Sequence, residues 1–199
     1  MANSNAPFGL RPVNKLSGAP FSGAVRAFSV AAGDATAIFI GDPVVGAGTS
    51  QIINGQTYSD VVQAATGNVI TGVVVGVEPV TNSSTIYRAA STQRVLLVCV
   101  DPDALFEIQQ VSGGTALTPN DIGLNADFVV AAGSTVTGLS GVTLNNVGEA
   151  TTNTLDLKIV GIVNRADNDM GSAAATGADA SRFLVRINRH AYSNQVAGI

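Results

Sequence analysis

A few short stretches of this 199-residue chain carry residue types and spacings that chemistry could use. The stretch "DNDMG" (167–171) resembles the start of a calcium loop. Such a loop needs a third oxygen ligand at its fifth position and a Glu at its twelfth. Those positions are Gly171 and Ala178, so an acidic surface turn is expected instead. Asp101 and Asp103 flank Pro102, and a carboxylate pair could hold a cation or move protons. With no histidine or third carboxylate beside them, they read as turn formers. His190 is the single histidine a Ser-His-Asp mechanism would require, yet no Gly-x-Ser-x-Gly stretch occurs anywhere. The glycine-rich "GAGTS" (46–50) lacks the spacing and the lysine of a phosphate loop. "NSS" (82–84) matches the glycosylation triplet, which is common by chance. The single cysteine, Cys99, cannot form an internal disulfide, and its apolar run "RVLLVCV" predicts a buried, inert thiol. No catalytic residue, cofactor or metal is expected, and the chain does not read as an enzyme.

The better candidates are for binding. In "RFLVRINRH" (182–190), alternation sends Phe183, Val185 and Ile187 one way. Arg182, Arg186 and His190 go the other way, with Leu184 and Asn188 between them. Arginine pairs bidentately and desolvates more readily than lysine, so this face predicts a ladder onto carboxylates of a neighbouring subunit. The opening "MANSNAPFGLRPVNKL" (1–16) has neither helical period nor clean alternation. It reads as an extended arm that clamps a neighbour. Phe8, Leu10 and Val13 are its apolar anchors and Arg11 its charged contact, while Pro7 and Pro12 stiffen it.

Composition points the same way. Apolar residues make up 46%, but charged residues only 12%, about half the usual ~25%. Polarity comes from Ser, Thr, Asn and Gln, and a surface this poor in charge predicts cover by other subunits. The net charge is −4 and the ten basic residues are scattered, which disfavours nucleic acid. No apolar run approaches the ~20 residues of a membrane helix. No basic start followed by an apolar stretch marks a signal peptide. Synthesis in the cytosol as a soluble protein is therefore expected.

The elements that must position these residues are strands. "AVRAFSVAA" (24–32), "TAIFIGDPVV" (36–45), "LFEIQ" (105–109), "ADFVVAA" (126–132), "LDLKIVGIVNR" (155–165) and "RFLVRINRHAY" (182–192) are candidates. "VITGVVVGVEPV" (69–80) and "RVLLVCV" (94–100) are continuous β-branched runs, as in strands buried on both faces. Asn54-Gly55 predicts a two-residue hairpin. "SDVVQAA" (59–65) could form a helical turn or two. Segment 133–154 is expected as an exposed hairpin or protruding loop, and 171–181 as a long loop before the last strand. The predicted fold is all-β, a β-barrel or jelly-roll-like β-sandwich over 17–199, preceded by the arm 1–16.

The stretches "MANSNAPFGLRPV", "GDPVV", "ITGVVVGVEPV", "VLLVCVDPDALFEIQ", "DIGLNADFV" and "LKIVGIVNR" together resemble small head structural proteins of tailed bacteriophages, the capsid decoration (cement) proteins. The resemblance implies a β-rich virion protein on the outer face of the capsid. It would contact the major capsid protein and copies of itself, as a dimer or trimer, and would carry no catalytic residues. Another virion component, such as a head-fibre or tail base or a carbohydrate-binding module, is the alternative. Sugar sites favour exposed aromatics, and the chain has three Tyr and no Trp.

Overall fold

The computed structural model describes residues 3–113, 115–168, 170, 180–195 and 197–198. Among them no α-helix occurs, and one 3-10 turn at Pro119–Asp121 is the only helical element. Two β-layers form the molecule. The first is a closed barrel in the order β2 (Arg26–Val30), β4 (Gln56–Gln63), β3 (Pro43–Ile53), β5 (Gly72–Val77), β6 (Arg94–Cys99). The second is an antiparallel sheet in the order β1 (Arg11–Lys15), β7 (Ala104–Gln109), β12 (Arg182–Ile187), β11 (Leu157–Ile162), β8 (Asn125–Ala126). A small ribbon joins β9 (Phe128–Val129) to β10 (Thr143–Leu144).

The continuous apolar runs explain how the layers share material. On β5, Val73 belongs to the core between the layers and Val74 to the barrel's own core. On β6, Cys99 and Val98 divide in the same way. A strand between two cores has no solvent face, so it needs apolar residues at every position rather than at alternate ones. The β3–β4 hairpin turns at Asn54-Gly55 as predicted. Their φ values of 52° and 79° are the left-handed pair that a type I′ turn requires.

Several expected elements differ. The run 36–45 is not one strand, because Gly41 (φ 97°) and Asp42 turn the chain. The Asp42 carboxylate accepts the Phe39 N–H at 2.8 Å, and only single bridges at Ile38 and Ile40 precede β3. Residues 59–63 continue β4 rather than forming a helical turn. Burial of Asp60 and Val61 in the barrel outweighs their local helical pattern. The run 126–132 yields only the last residue of β8 and the two-residue β9. Segment 133–154 is not simply a protruding loop: Ser140, Val142, Thr143, Leu144 and Asn146 are buried, and it carries β10. Most of the expected loop 171–181 lies outside the described residues, while Ala180 and Ser181 are buried.

Candidate interaction surface

The arm expected to reach a neighbour closes on its own domain. Residues 11–15 form β1, paired antiparallel with β7. Leu10 is 1% exposed within the core between the layers, and its N–H donates to Gly41 O at 2.9 Å. Gly9 (φ 72°) and Gly41 permit this crossing. A Cβ on Gly41 would stand 2.4 Å from Phe8 O, and one on Gly9 would stand 2.5 Å from Gly41 O. The physical reason lies in β7. All six of its residues are buried, so Glu107 and Gln109 need polar cover on the face away from Phe106 and Ile108. The arm supplies part of it: Ala6 N–H donates to Gln109 Oε1 at 3.0 Å, and Gln109 Nε2 donates to Asn5 Oδ1 at 2.8 Å.

Glu107 is the hub of that face. Arg165 donates to both of its oxygens, at 3.1 and 2.7 Å, and Arg11 donates at 2.5 Å. Burial pushes the Glu107 carboxyl up, but the two guanidinium groups outweigh it and hold the group below its ordinary range. Arg165 also pairs with Asp167 at 3.0 Å, and Asp167 pairs with Arg182 at 2.7 Å. The Phe8 ring sits between Arg11 and Arg182, whose guanidinium carbons lie 4.9 and 5.7 Å from its centroid. Val13 is half-buried, with its carbonyl accepting from Phe21 N–H.

The last strand is likewise satisfied within the chain. Arg186 donates to Pro102 O at 2.9 Å and to Ser193 Oγ at 3.1 Å, with Asp103 at 3.8 Å. The expected carboxylate partners of Arg182 and Arg186 are therefore Asp167 and Asp103 of the same chain, not a neighbour's. His190 is buried, and its Nδ1 accepts the Tyr192 N–H at 3.0 Å. Burial, reinforced by Arg186 and opposed by Asp101, lowers its pKa to about 4, so it is neutral at physiological pH. A buried neutral ring cannot serve as the third charge of a ladder.

The "DNDMG" stretch places Asp167 in the arginine network. Asn168 Nδ2 bonds the carbonyls of Val163 and Arg182, while Asp169 and Gly171 lie outside the described residues. Asp101 pairs with Lys15 at 2.8 Å and accepts from Asp103 N–H, as a turn former does. Cys99 is buried, and burial raises its thiol pKa. Among the described residues no group of three or more His, Cys, Asp or Glu is placed to hold a metal ion, and no helix is long and apolar enough to cross a membrane.

Sequence reasoning missed the buried carboxylates. Asp42 accepts from Ser140 Oγ, Phe39 N–H and Gln63 Nε2, and burial raises its pKa despite these bonds. Asp156 accepts the Gly67 N–H on both oxygens, at 3.1 and 3.0 Å, tying the β4–β5 loop to the sheet. Burial pushes its pKa up to about 7, with a further push from Asp127 beside it. The one signal available was Glu107 and Gln109 standing opposite Phe106 and Ile108 in a strand that the rest of the chain could cover.

What remains open to solvent is aliphatic as well as polar. Val136 is 86% exposed, Ile52 75%, Val80 73% and Val147 65%. Ile53, Val80 and Val95, with Asn54, Glu78 and Gln93, line a groove of about 390 Å³ beneath the β3–β4 hairpin. The chain matches no protein-family model, no curated protein and no solved structure.

Proposed function

We propose that this chain is a structural virion protein, a capsid decoration protein that binds the outer surface of a tailed-phage head and stabilises the major capsid protein lattice. The observation that carries the reading is the surface. Large aliphatic side chains stand in solvent at Ile52, Val80, Val136 and Val147 on a chain with only 12% charged residues. Such a surface favours permanent cover by other subunits. The resemblance of the sequence to head structural proteins supplies the identity of that cover, and self-association belongs to the same reading. Because the arm packs on its own sheet, the capsid contact is assigned to Val80, Val136 and Val147 rather than to Phe8, Leu10 and Val13. Arg11, whose side chain is 53% exposed, remains available at the rim.

The test is co-sedimentation of the purified chain with empty heads assembled without it. Saturable binding that raises the temperature at which the heads disassemble is expected. Absence of binding to mature heads at any concentration overturns the reading. Within that assay Val136→Asp and Val80→Asp should weaken binding while leaving the melting temperature of the free protein unchanged, since both side chains are in solvent.

A further inference from the structure

Strand edges are closed almost everywhere in this molecule. The outer edge of β1 is capped by the chain's own return, with Lys15 N–H donating to Ala19 O at 2.7 Å and Phe21 N–H to Val13 O at 3.3 Å. The outer edge of β8 exchanges two bonds of 2.9 Å between Asn125 and Ala150. The far half of β3 is different. β5 pairs with it only at Pro43 and Val44, and Gly46 N–H then turns to Thr71 Oγ1 at 3.0 Å. Along Ala47–Ile53 no strand among the described residues lies on that side.

The hairpin register shows which groups the bare edge presents. Ile53 and Gln56 flank the two-residue turn and exchange backbone bonds, so Ile52↔Thr57 and Ser50↔Ser59 are the pairs that do not. The N–H and C=O groups of Ser50 and Ile52 therefore point away from β4. Both residues are exposed. The register shift between Gly46 and Ser50 bends β3 before this stretch, but Ser50–Ile53 itself runs in regular register and carries neither charge nor proline to guard it. No charged residue lies between Asp42 and Asp60, and the one proline of β3 is at its start.

We propose that the Ser50–Ile52 edge of β3 is a docking strand for a second copy of this chain, joined antiparallel about a twofold axis through Gln51. The symmetry is what selects a second copy. Ser50 and Ile52 straddle Gln51, so each Ser50 meets the partner's Ile52 and the two pairs exchange four backbone bonds. An uncharged edge meets its own copy without like-charge repulsion, which a chain of net charge −4 would otherwise raise. Ile52, 75% exposed, packs beside the partner's Ser50 on the outer face of the joined ribbon. This specifies the self-association named above, but it stands on the edge geometry alone.

The test is sedimentation equilibrium of the purified full chain, which is separate from head binding. The wild type is expected as a reversible dimer. Ser50→Pro removes an outward N–H without breaking the β3–β4 ladder. It should raise the dissociation constant about tenfold or more, with unchanged circular dichroism and melting temperature. Ile52→Lys places a charge on each side of the axis and should act likewise. Gln51→Cys brings two thiols into opposition across a non-hydrogen-bonded pair, roughly 4.5 Å between Cα atoms, within disulfide reach. With diamide the two thiols should lose two protons and two electrons to the reagent and form a covalent dimer. The wild type, with Cys99 buried, should not. A wild-type chain that is monomeric at every concentration overturns the proposal. So does a dimer that both folded variants leave unchanged.

Discussion

Two buried groups at the junction of barrel and sheet titrate in opposite senses, and their opposition can be measured. Asp156 is fully buried and its pKa is raised from 3.8 to about 7 by burial and by Asp127, against the Gly67 N–H and the Arg189 charge. A carboxyl whose folded pKa lies above its unfolded one favours the folded state most at low pH. That contribution is complete below about pH 4 and is lost as pH rises through 7. Three pH units at about 1.4 kcal/mol each set a ceiling of about 4 kcal/mol. His190 works the other way. Its pKa falls from 6.5 to about 4 through burial and Arg186, so its contribution is present above pH 6.5 and is lost as pH falls toward 4. Two and a half pH units give a ceiling of about 3 kcal/mol. Between pH 4 and 6.5 the two contributions to the wild-type slope nearly cancel, and each variant is read as its difference from the wild type. Asp156→Asn removes one side of the balance, and stability should then rise with pH across that window by up to about 3 kcal/mol. His190→Gln removes the other, and stability should fall with pH by a similar amount. The assay is urea unfolding at constant ionic strength in steps from pH 4 to 8, with the denaturant slope checked for constancy. Profiles of the two variants that stay parallel to the wild type would refute the assignment of these titrations to Asp156 and His190.

The arm provides a second test. Leu10→Ala should cost about 2–5 kcal/mol because the side chain is in the core, and a chain beginning at Ser17 should lose β1 and melt far below the wild type. An unchanged melting temperature for that truncation would mean the arm contributes nothing to its own sheet. Glu107→Gln removes the buried carboxylate shared by Arg11 and Arg165, whose side chains are 53% and 40% exposed and can turn to water, and should cost about 1.5–3 kcal/mol. Asp167→Asn at the exposed end of the same network should cost no more than about 1 kcal/mol. Equal effects in thermal or urea unfolding would show that burial does not set the weight of these pairs.

Much of the fold was legible because local pattern and final environment agree. The continuous β-branched runs within 69–80 and 94–100 read as strands buried on both faces, and the strands they form, 72–77 and 94–99, lie between two cores. Asn54-Gly55 specified its turn because few residue pairs accept two left-handed φ values in succession. Alternation in "LFEIQ" and "RFLVRI" placed Phe106, Ile108, Phe183, Val185 and Ile187 inward correctly. The sequence did not show what covers the opposite faces. Arg11, Arg165 and Arg182 look like free cations in a list of residues. They become in-chain partners of Glu107 and Asp167 only when β1, β7 and β12 are laid side by side. The arm looked unattached because its attachment is a crossing at Gly9 and Gly41, 32 positions apart, where two backbones touch. The bare edge of β3 is likewise invisible in sequence, because an unpaired edge is defined by the strand that fails to follow it. Pattern along a chain encodes which way side chains face; long-range pairing decides what each face meets, and both the arginine network and the open strand are products of that pairing.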